Sequence, residues 1–383
     1  MKTDKYQIRD KNKAELLNQI IKNKEISRAD LAKISKLNKA SVSSITRDLI
    51  DDSMISEVGT RDTSELGGRK PTMLKLNSHT GLVIAIDLGF DYLDAMISYL
   101  DGTEITRIQL KKININKSNV VAKINRVLSK LIHLAPDTIH GVIGLTIAVQ
   151  GQVSDNQITF SPVYDIDQID LIKELSNTHT FPIYIENEAN LSALGEYAFS
   201  SNATNLISVS LHSGIGAGIV KNGLIEHGTN GNASNIGHMI LFPNGRPCPC
   251  GNRGCLNQYV STKIIYEEIT TATGVFPMDS DKLADLYQSN PQVQKMVEEY
   301  SEFLAVGINN IIMMYAPQLV ILNSRLTKKI PSMLTFIHKF INNRFSRNTE
   351  IINSPIKWNP VIYGAIAFTI QQFMHIDELK LNN

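Results

Sequence analysis

Apolar residues recur at Leu16, Leu17, Ile20 and Ile21, spacings that predict an amphipathic helix. A second helix is predicted from SRAD, where Ser27 can cap and Asp30 supplies the carboxylate of a capping box. It turns Leu31 and Ile34 toward a core and stops near Lys36, before a turn at Leu37 and Asn38. A third helix begins near Lys39 and shows Val42, Ile45 and Leu49 on one side. MISEV and TMLKL then read as two strands around a polar loop.

After KLNSHTG the pattern changes. Residues 81–100 read as a buried strand, a turn and a second strand, and HGVIGLTIAVQG as a strand entering a glycine turn. FPIYIENEANLSALGEYAF predicts a strand followed by a helix from about Glu188. NLISVSLHSGIGAGIVKNG reads as two strands around a glycine-rich turn. The C-terminal part alternates helices with one clear strand, PQLVILN. Strands mixed with helices, with glycines at strand ends, predict an α/β body. No short-period repeat or low-complexity tract interrupts it.

The first three helices fit a helix-turn-helix, and the following hairpin makes it a winged one. The outer face of the third helix carries Lys39, Ser41, Ser44 and Arg47, cations and small hydroxyls suited to phosphates and base edges. Arg28 joins them from the second helix, and Arg61, Arg69 and Lys70 from the hairpin tip. Charge points the same way. Residues 1–80 hold sixteen Lys/Arg against eleven Asp/Glu, whereas the whole chain nets only +1. A small helical bundle with a solvated charged loop is the other reading of these residues.

A 383-residue chain with 43% apolar residues can bury sizeable cores. No apolar run reaches the length of a membrane helix, and the polar N-terminus has no signal core, so a cytoplasmic protein is expected. All three cysteines sit in CPCGNRGC. Cys248, Cys250 and Cys255 follow His238 by ten to seventeen residues and complete a Cys3His set, a common structural zinc arrangement. A redox thiol cluster and unliganded buried cysteines are the alternatives.

The stretches IDLG, VQGQV, IENEANLSALGE, SGIGAG, NIGHM and CPCGNRGC resemble the ROK family of repressors and sugar kinases over nearly all of the body. The resemblance implies an actin-like sugar-kinase fold, with a winged helix-turn-helix domain at 1–78 and a two-lobed sugar-binding domain at 79–383. Its ligand would lie in the interlobe cleft. The N-terminal head is similar to that of the family's repressors, and ENEAN most resembles the xylose repressors of low-GC Gram-positive bacteria.

The resemblance names Gly151, Asn187, Glu188, Asn235, His238 and Asn257 as sugar-facing. It also makes the cysteine cluster a structural zinc site, with His238 serving both metal and sugar. Three positions depart from the family pattern: Glu188 replaces its Asp, and Asn235 and Asn257 replace its Glu. Amides bond more weakly than carboxylates, so weaker binding or a different sugar is expected. Kinases of the family read D-x-G-G-T at the first phosphate turn; here Phe90 and Asp91 bring bulk and negative charge. No catalytic residue is therefore expected. The expected partners are operator DNA and a monosaccharide, xylose first, bound by a homodimer or higher homo-oligomer. An ATP-dependent sugar kinase, and a repressor of another sugar or under a protein partner, are the rivals.

Overall fold

The computed structural model describes residues 5–60, 71–89, 91–161, 164–167, 169–233 and 235–381. The chain divides into two compact units, residues 1–188 with 362–383 and residues 189–361.

The first unit opens with α1 (Lys5–Asn23), β1 (Ile26–Ser27), α2 (Arg28–Ser35), α3 (Lys39–Asp51), β2 (Ile55–Thr60) and β3 (Thr72–Leu76). Leu16, Leu17, Ile20 and Ile21 are buried, as their spacing requires. Ser27 Oγ accepts from the Asp30 amide at 3.1 Å and lies 2.8 Å from the Asp30 carboxylate, forming the expected cap. Lys36 ends α2 in the left-handed region with φ 59°. Asn38 caps α3, accepting from the Ser41 amide at 2.8 Å. α3 buries Val42, Ile45 and Leu49. Two ion pairs, Arg9 with Asp48 and Lys13 with Asp52, clamp α1 to α3 one helical turn apart. The strands pair in the order β1-β3-β2.

Leu31 is fully buried, but Ile34 is 48% exposed, which corrects the expectation that both face the core. α2 is barely two turns long and stops at the left-handed Lys36. Leu31 in its first turn is covered, while Ile34 near its end is not.

Next come β4 (Leu82–Leu88), β5 (Tyr92–Tyr99), β6 (Glu104–Lys111), α4 (Val120–Leu134), β7 (Val142–Val149), β8 (Gln152–Ser154), β9 (Gln157–Phe160), α5 (Leu171–Ser176) and β10 (Ile183–Asn187). Five of the strands form a mixed sheet, β10-β7-β4-β5-β6. β4 and β7 lie inside it, parallel to each other and almost wholly buried, which accounts for their continuous apolar runs. β8 and β9 form a hairpin whose two turn residues, Asp155 and Asn156, both have positive φ, the primed-turn geometry that Asp and Asn tolerate. The Asn156 amide bonds Ile183 O at 3.0 Å and the Ile185 amide at 2.7 Å, pinning the hairpin to β10.

The second unit begins in α6 (Glu188–Phe199), followed by β11 (Asn205–Leu211), β12 (Ile215–Lys221), β13 (Leu224–Ile225), α7 (Asn257–Val260), α8 (Thr262–Thr273), α9 (Ser280–Ser289), α10 (Pro291–Tyr315), β14 (Leu319–Asn323), α11 (Arg325–Lys329), α12 (Ser332–Phe340) and β15 (Glu350–Asn353). Its sheet runs β13-β12-β11-β14-β15. The C-terminal part therefore holds two strands rather than one. β15 is a four-residue edge strand, EIIN, too short to stand out as a pattern. The last helix, α13 (Pro360–Met374), returns the chain to the first unit.

Candidate functional site

The C-terminal ends of β7 and β10 bring three of the expected sugar residues together. The Asn187 side-chain amide donates to Gly151 O at 2.7 Å, and Gln150 Nε2 donates to the Glu188 carboxylate at 3.3 Å. The Tyr164 hydroxyl accepts from the Gln150 amide and donates to Leu88 O, both at 2.8 Å. This fixes the strand end in front of Glu188. Burial pushes the Glu188 carboxyl above the usual carboxylate range, and the Gln150 bond opposes that only in part.

Asp87 is buried, and Tyr92 donates to it at 3.1 Å. Burial first, then the Asp87 and Glu188 charges, raises the Tyr92 phenol far above its ordinary value. Together these groups offer two carboxyls, two phenols and two amides, and no cation. Such a set suits the hydroxyls of a neutral ligand.

The pattern of residues along the chain does not point to Tyr92, Gln150 or Tyr164. Gln150 stands next to Gly151 and could have been found by adjacency. Tyr164 comes from a distant loop and carries no local signal. Tyr92 has a further effect at the first glycine turn. A Cβ on Gly89 would stand 1.9 Å from the Tyr92 ring, so that ring fills the space beside the turn. Asp91 is exposed, while Phe90 lies outside the described residues.

The second glycine turn joins β11 to β12. A Cβ on Gly218 would meet Ala189 O at 2.1 Å and Ala193 Cβ at 2.7 Å, so the glycine lets β12 lie directly on α6. Asn257 Oδ1 accepts from the Ile215 amide of the same turn at 2.6 Å, and Gly237 packs against its carboxamide. The oxygen of Asn257 is thus engaged by backbone. Asn235 is exposed, and its amide donates to Asn232 O at 3.1 Å.

His238, Cys248, Cys250 and Cys255 converge in the second unit. Their four ligand atoms all lie within 4.8 Å of one another. His238 Nδ1 is 3.5 Å from Cys248 Sγ, and Cys250 Sγ is 3.6 Å from Cys255 Sγ. A tetrahedral zinc with its ordinary bond lengths sets sulfur atoms about 3.8 Å apart and sulfur and nitrogen about 3.6 Å apart. The donor set fits. The loop folds this way because Gly251 and Gly254 take positive φ; a Cβ on Gly254 would stand 1.7 Å from Phe242 O. Burial, then the adjoining thiols, pushes Cys255 up to about 12, while a backbone amide at Asn252 lowers Cys250. A dication reverses that penalty by stabilising the thiolates.

In the N-terminal head, Lys39, Ser44 and Arg47 are exposed along α3, with Ser41 half-buried beside them. Ala40 and Ser43 share that exposed face and extend the set. Arg28 is held by the Glu57 carboxylate at 2.6 Å and by Thr46 Oγ1 at 3.1 Å, so it braces α2 against α3 and β2. Arg61, Arg69 and Lys70 lie outside the described residues. Among the described residues, no helix is long and apolar enough to cross a membrane.

The sequence profile of the ROK family matches residues 83–372. The chain is 31% identical over 375 residues to the xylose repressor of Bacillus subtilis (strain 168), covering 95% of this chain and 96% of the repressor. Its fold is similar to that of a ROK family transcriptional regulator, a homolog of the E. coli MLC protein, at TM-score 0.82 and 24% identity, covering 96% and 97% of the two chains. It is also similar to a ROK family glucokinase from Streptomyces griseus solved with glucose and AMPPNP, at TM-score 0.66 and 20% identity, covering 75% of this chain and 99% of that one.

Proposed function

The chain belongs to the ROK family and has its actin-like sugar-kinase fold, and from that premise we propose that it is a transcriptional repressor whose hold on operator DNA is released by a monosaccharide, xylose first among the candidates. One observation carries this reading: the match to a xylose repressor runs almost end to end. The kinase likeness covers only 75% of the chain.

The domain at 1–78 acts as a winged helix-turn-helix. Its reading face is Lys39, Ser41, Ser44 and Arg47, and Arg61, Arg69 and Lys70 are proposed as further DNA contacts. Arg28 supports that face from within the head. A homodimer would place two such heads on a palindromic operator in the cytoplasm.

Glu188, Asn187, Gly151, Asn235 and His238 supply the sugar contacts. Asn257 shapes the turn at Ile215 and positions the residues around it. Zinc held by His238 Nδ1 and the three cysteines would be structural, because four protein ligands leave no open position. Bound through Nδ1, the imidazole has one tautomer and a fixed plane, and its Nε2 donates to a sugar hydroxyl. Phosphoryl transfer is absent from this reading: Tyr92 occupies the first glycine turn, Asp91 adds negative charge, and the groups around Glu188 offer no cation.

The test is calorimetric titration of the purified protein with pentoses and hexoses, followed by operator gel shifts with each ligand found. Xylose binding that weakens the operator complex is the expected result. Operator binding indifferent to every sugar would sink the receptor reading, and substantial turnover of labelled ATP with any of them would restore the kinase.

A further inference from the structure

We infer that His140 ties the C-terminal end of α3 to the strand that carries Gln150 and Gly151, and so sets the position of the DNA-reading helix according to the state of the sugar site. This rests on the repressor reading above.

The carbonyl of Asp52, at the C-cap of α3, is among those that a helix end leaves without an in-helix partner. His140 Nε2 lies 2.8 Å from it. A carbonyl only accepts, so Nε2 carries the proton. Two residues later β7 begins. Eight residues at about 3.3 Å each carry it about 26 Å through the sheet, to Gln150, the partner of Glu188. One central strand, paired on both sides, therefore begins at the head and ends at the candidate sugar contacts.

A second rigid element runs beside it. Thr369 on α13 bonds Thr146 on β7, Oγ1 to Oγ1, at 2.7 Å. Gly144 admits the helix, since a Cβ there would stand 2.8 Å from Thr369 Cγ2. Phe368 meets Tyr184 of β10 edge to face. The last turn of α13 then sets Phe373 edge-on against the His140 ring, centroids 6.0 Å apart. Strand and helix together hold the base of His140, while its tip holds α3.

Around this contact lies a half-open cleft of about 720 Å³, lined by Lys13, Leu49, Asp52, Met54, Phe373 and His375 among others. Close-packed interiors resist displacement, whereas a helix end beside an open cleft has room to shift. The bonds from Asn77 to Ser53 O and Met54 O join the residue after β3 to the same turn, and the next residues, Ser78 and His79, meet Leu100 and Tyr99 at the end of β5. His140 is the side-chain bond that reaches the end of α3 from the base of β7.

Hydrogen exchange on the full chain tests the tie directly, comparing wild type with His140→Ala and His140→Gln, the latter keeping a donor of similar reach. Losing one such bond should speed exchange in the last turn of α3 and in β2 about five- to tenfold. The β4–β7 pairing should be unchanged, and the glutamine variant should stay near wild type. Unchanged exchange in α3, or acceleration throughout the sheet, overturns the inference. In the same proteins, His140→Ala should shrink the ratio of operator affinities without and with xylose about fivefold, with xylose Kd within about twofold of wild type. An unshrunken ratio against a responsive wild type sinks the role of His140 alone. A wild type indifferent to every sugar sinks the repressor reading, and the sugar dependence drawn here with it.

Discussion

The four ligand atoms of the cysteine loop come from residues 238–255, whereas the groups around Glu188 come from five places between residues 87 and 188. In the loop, two glycines and a few backbone bonds bring sulfur to sulfur with little help from the rest of the unit. Around Glu188 nothing is local. β4, β5, β7, the Tyr164 loop and α6 must all be in register before the carboxyl meets Gln150. A local cluster can be set by a metal; a distributed one is set by the sheet and inherits its precision. The first would gain rigidity from a bound metal, the second gains it from the packing beneath it.

The difference can be broken most sharply at the metal. Chelation, or Cys255→Ser, should cost about 4–5 kcal/mol, read as a fall in the thermal midpoint with fast exchange confined to residues 239–258. Sugar affinity that survives chelation intact would show the two clusters to be independent and remove His238 from the sugar site. Next in size is Glu188→Gln. Replacing a charged acceptor should weaken xylose binding by about 1.5–3 kcal/mol, measured by calorimetry, with the fold unharmed. Tyr164→Phe comes third. It strands the Gln150 amide and Leu88 O, so unfolding should become easier by about 1–2 kcal/mol, with only a few-fold loss of affinity. An effect on affinity as large as that of Glu188→Gln would make Tyr164 a ligand contact.

The smallest effect is a pH slope. Burial raises the Glu188 pKa in the folded chain, so between its ordinary and raised values the folded state holds more protons than the unfolded one. Stability without sugar should therefore fall as pH rises through that window. Glu188→Gln should flatten this part of the curve, and an identical slope in the variant would mean that another group titrates there.

The same contrast governs what could be read from sequence. The cap of α2, the start of α3 near Lys39, the start of α6 at Glu188 and the cysteine loop depend on neighbours within a few residues, and all were legible, whereas Asn38 reads as a turn residue and caps α3. Ile34 was misplaced because spacing gives the face of a helix but not where its cover ends. Tyr92 and Tyr164 escaped because their partners, Asp87 and Leu88 O, are chosen by strand register and loop path. Two of the three departures from the family pattern, Asn235 and Asn257, fared differently once placed. Asn235 stays exposed, while the oxygen of Asn257 is engaged by the Ile215 amide. Nor did any pattern in the last helix show that α13 rejoins the first unit; that follows from Gly144 and Thr369 fitting together.

Asn156 has a consequence for how copies of this protein behave when crowded. β10 is the outer strand of its sheet, and an outer strand offers free amides and carbonyls to any extended chain that drifts past. The Asn156 carboxamide takes the carbonyl of Ile183 and the amide of Ile185, the two groups that an incoming strand would seize around Tyr184. One side chain thus imitates a strand only one residue long at the middle of this edge. The turn residue that shapes the β8–β9 hairpin also shortens the stretch of β10 that a second copy could pair with.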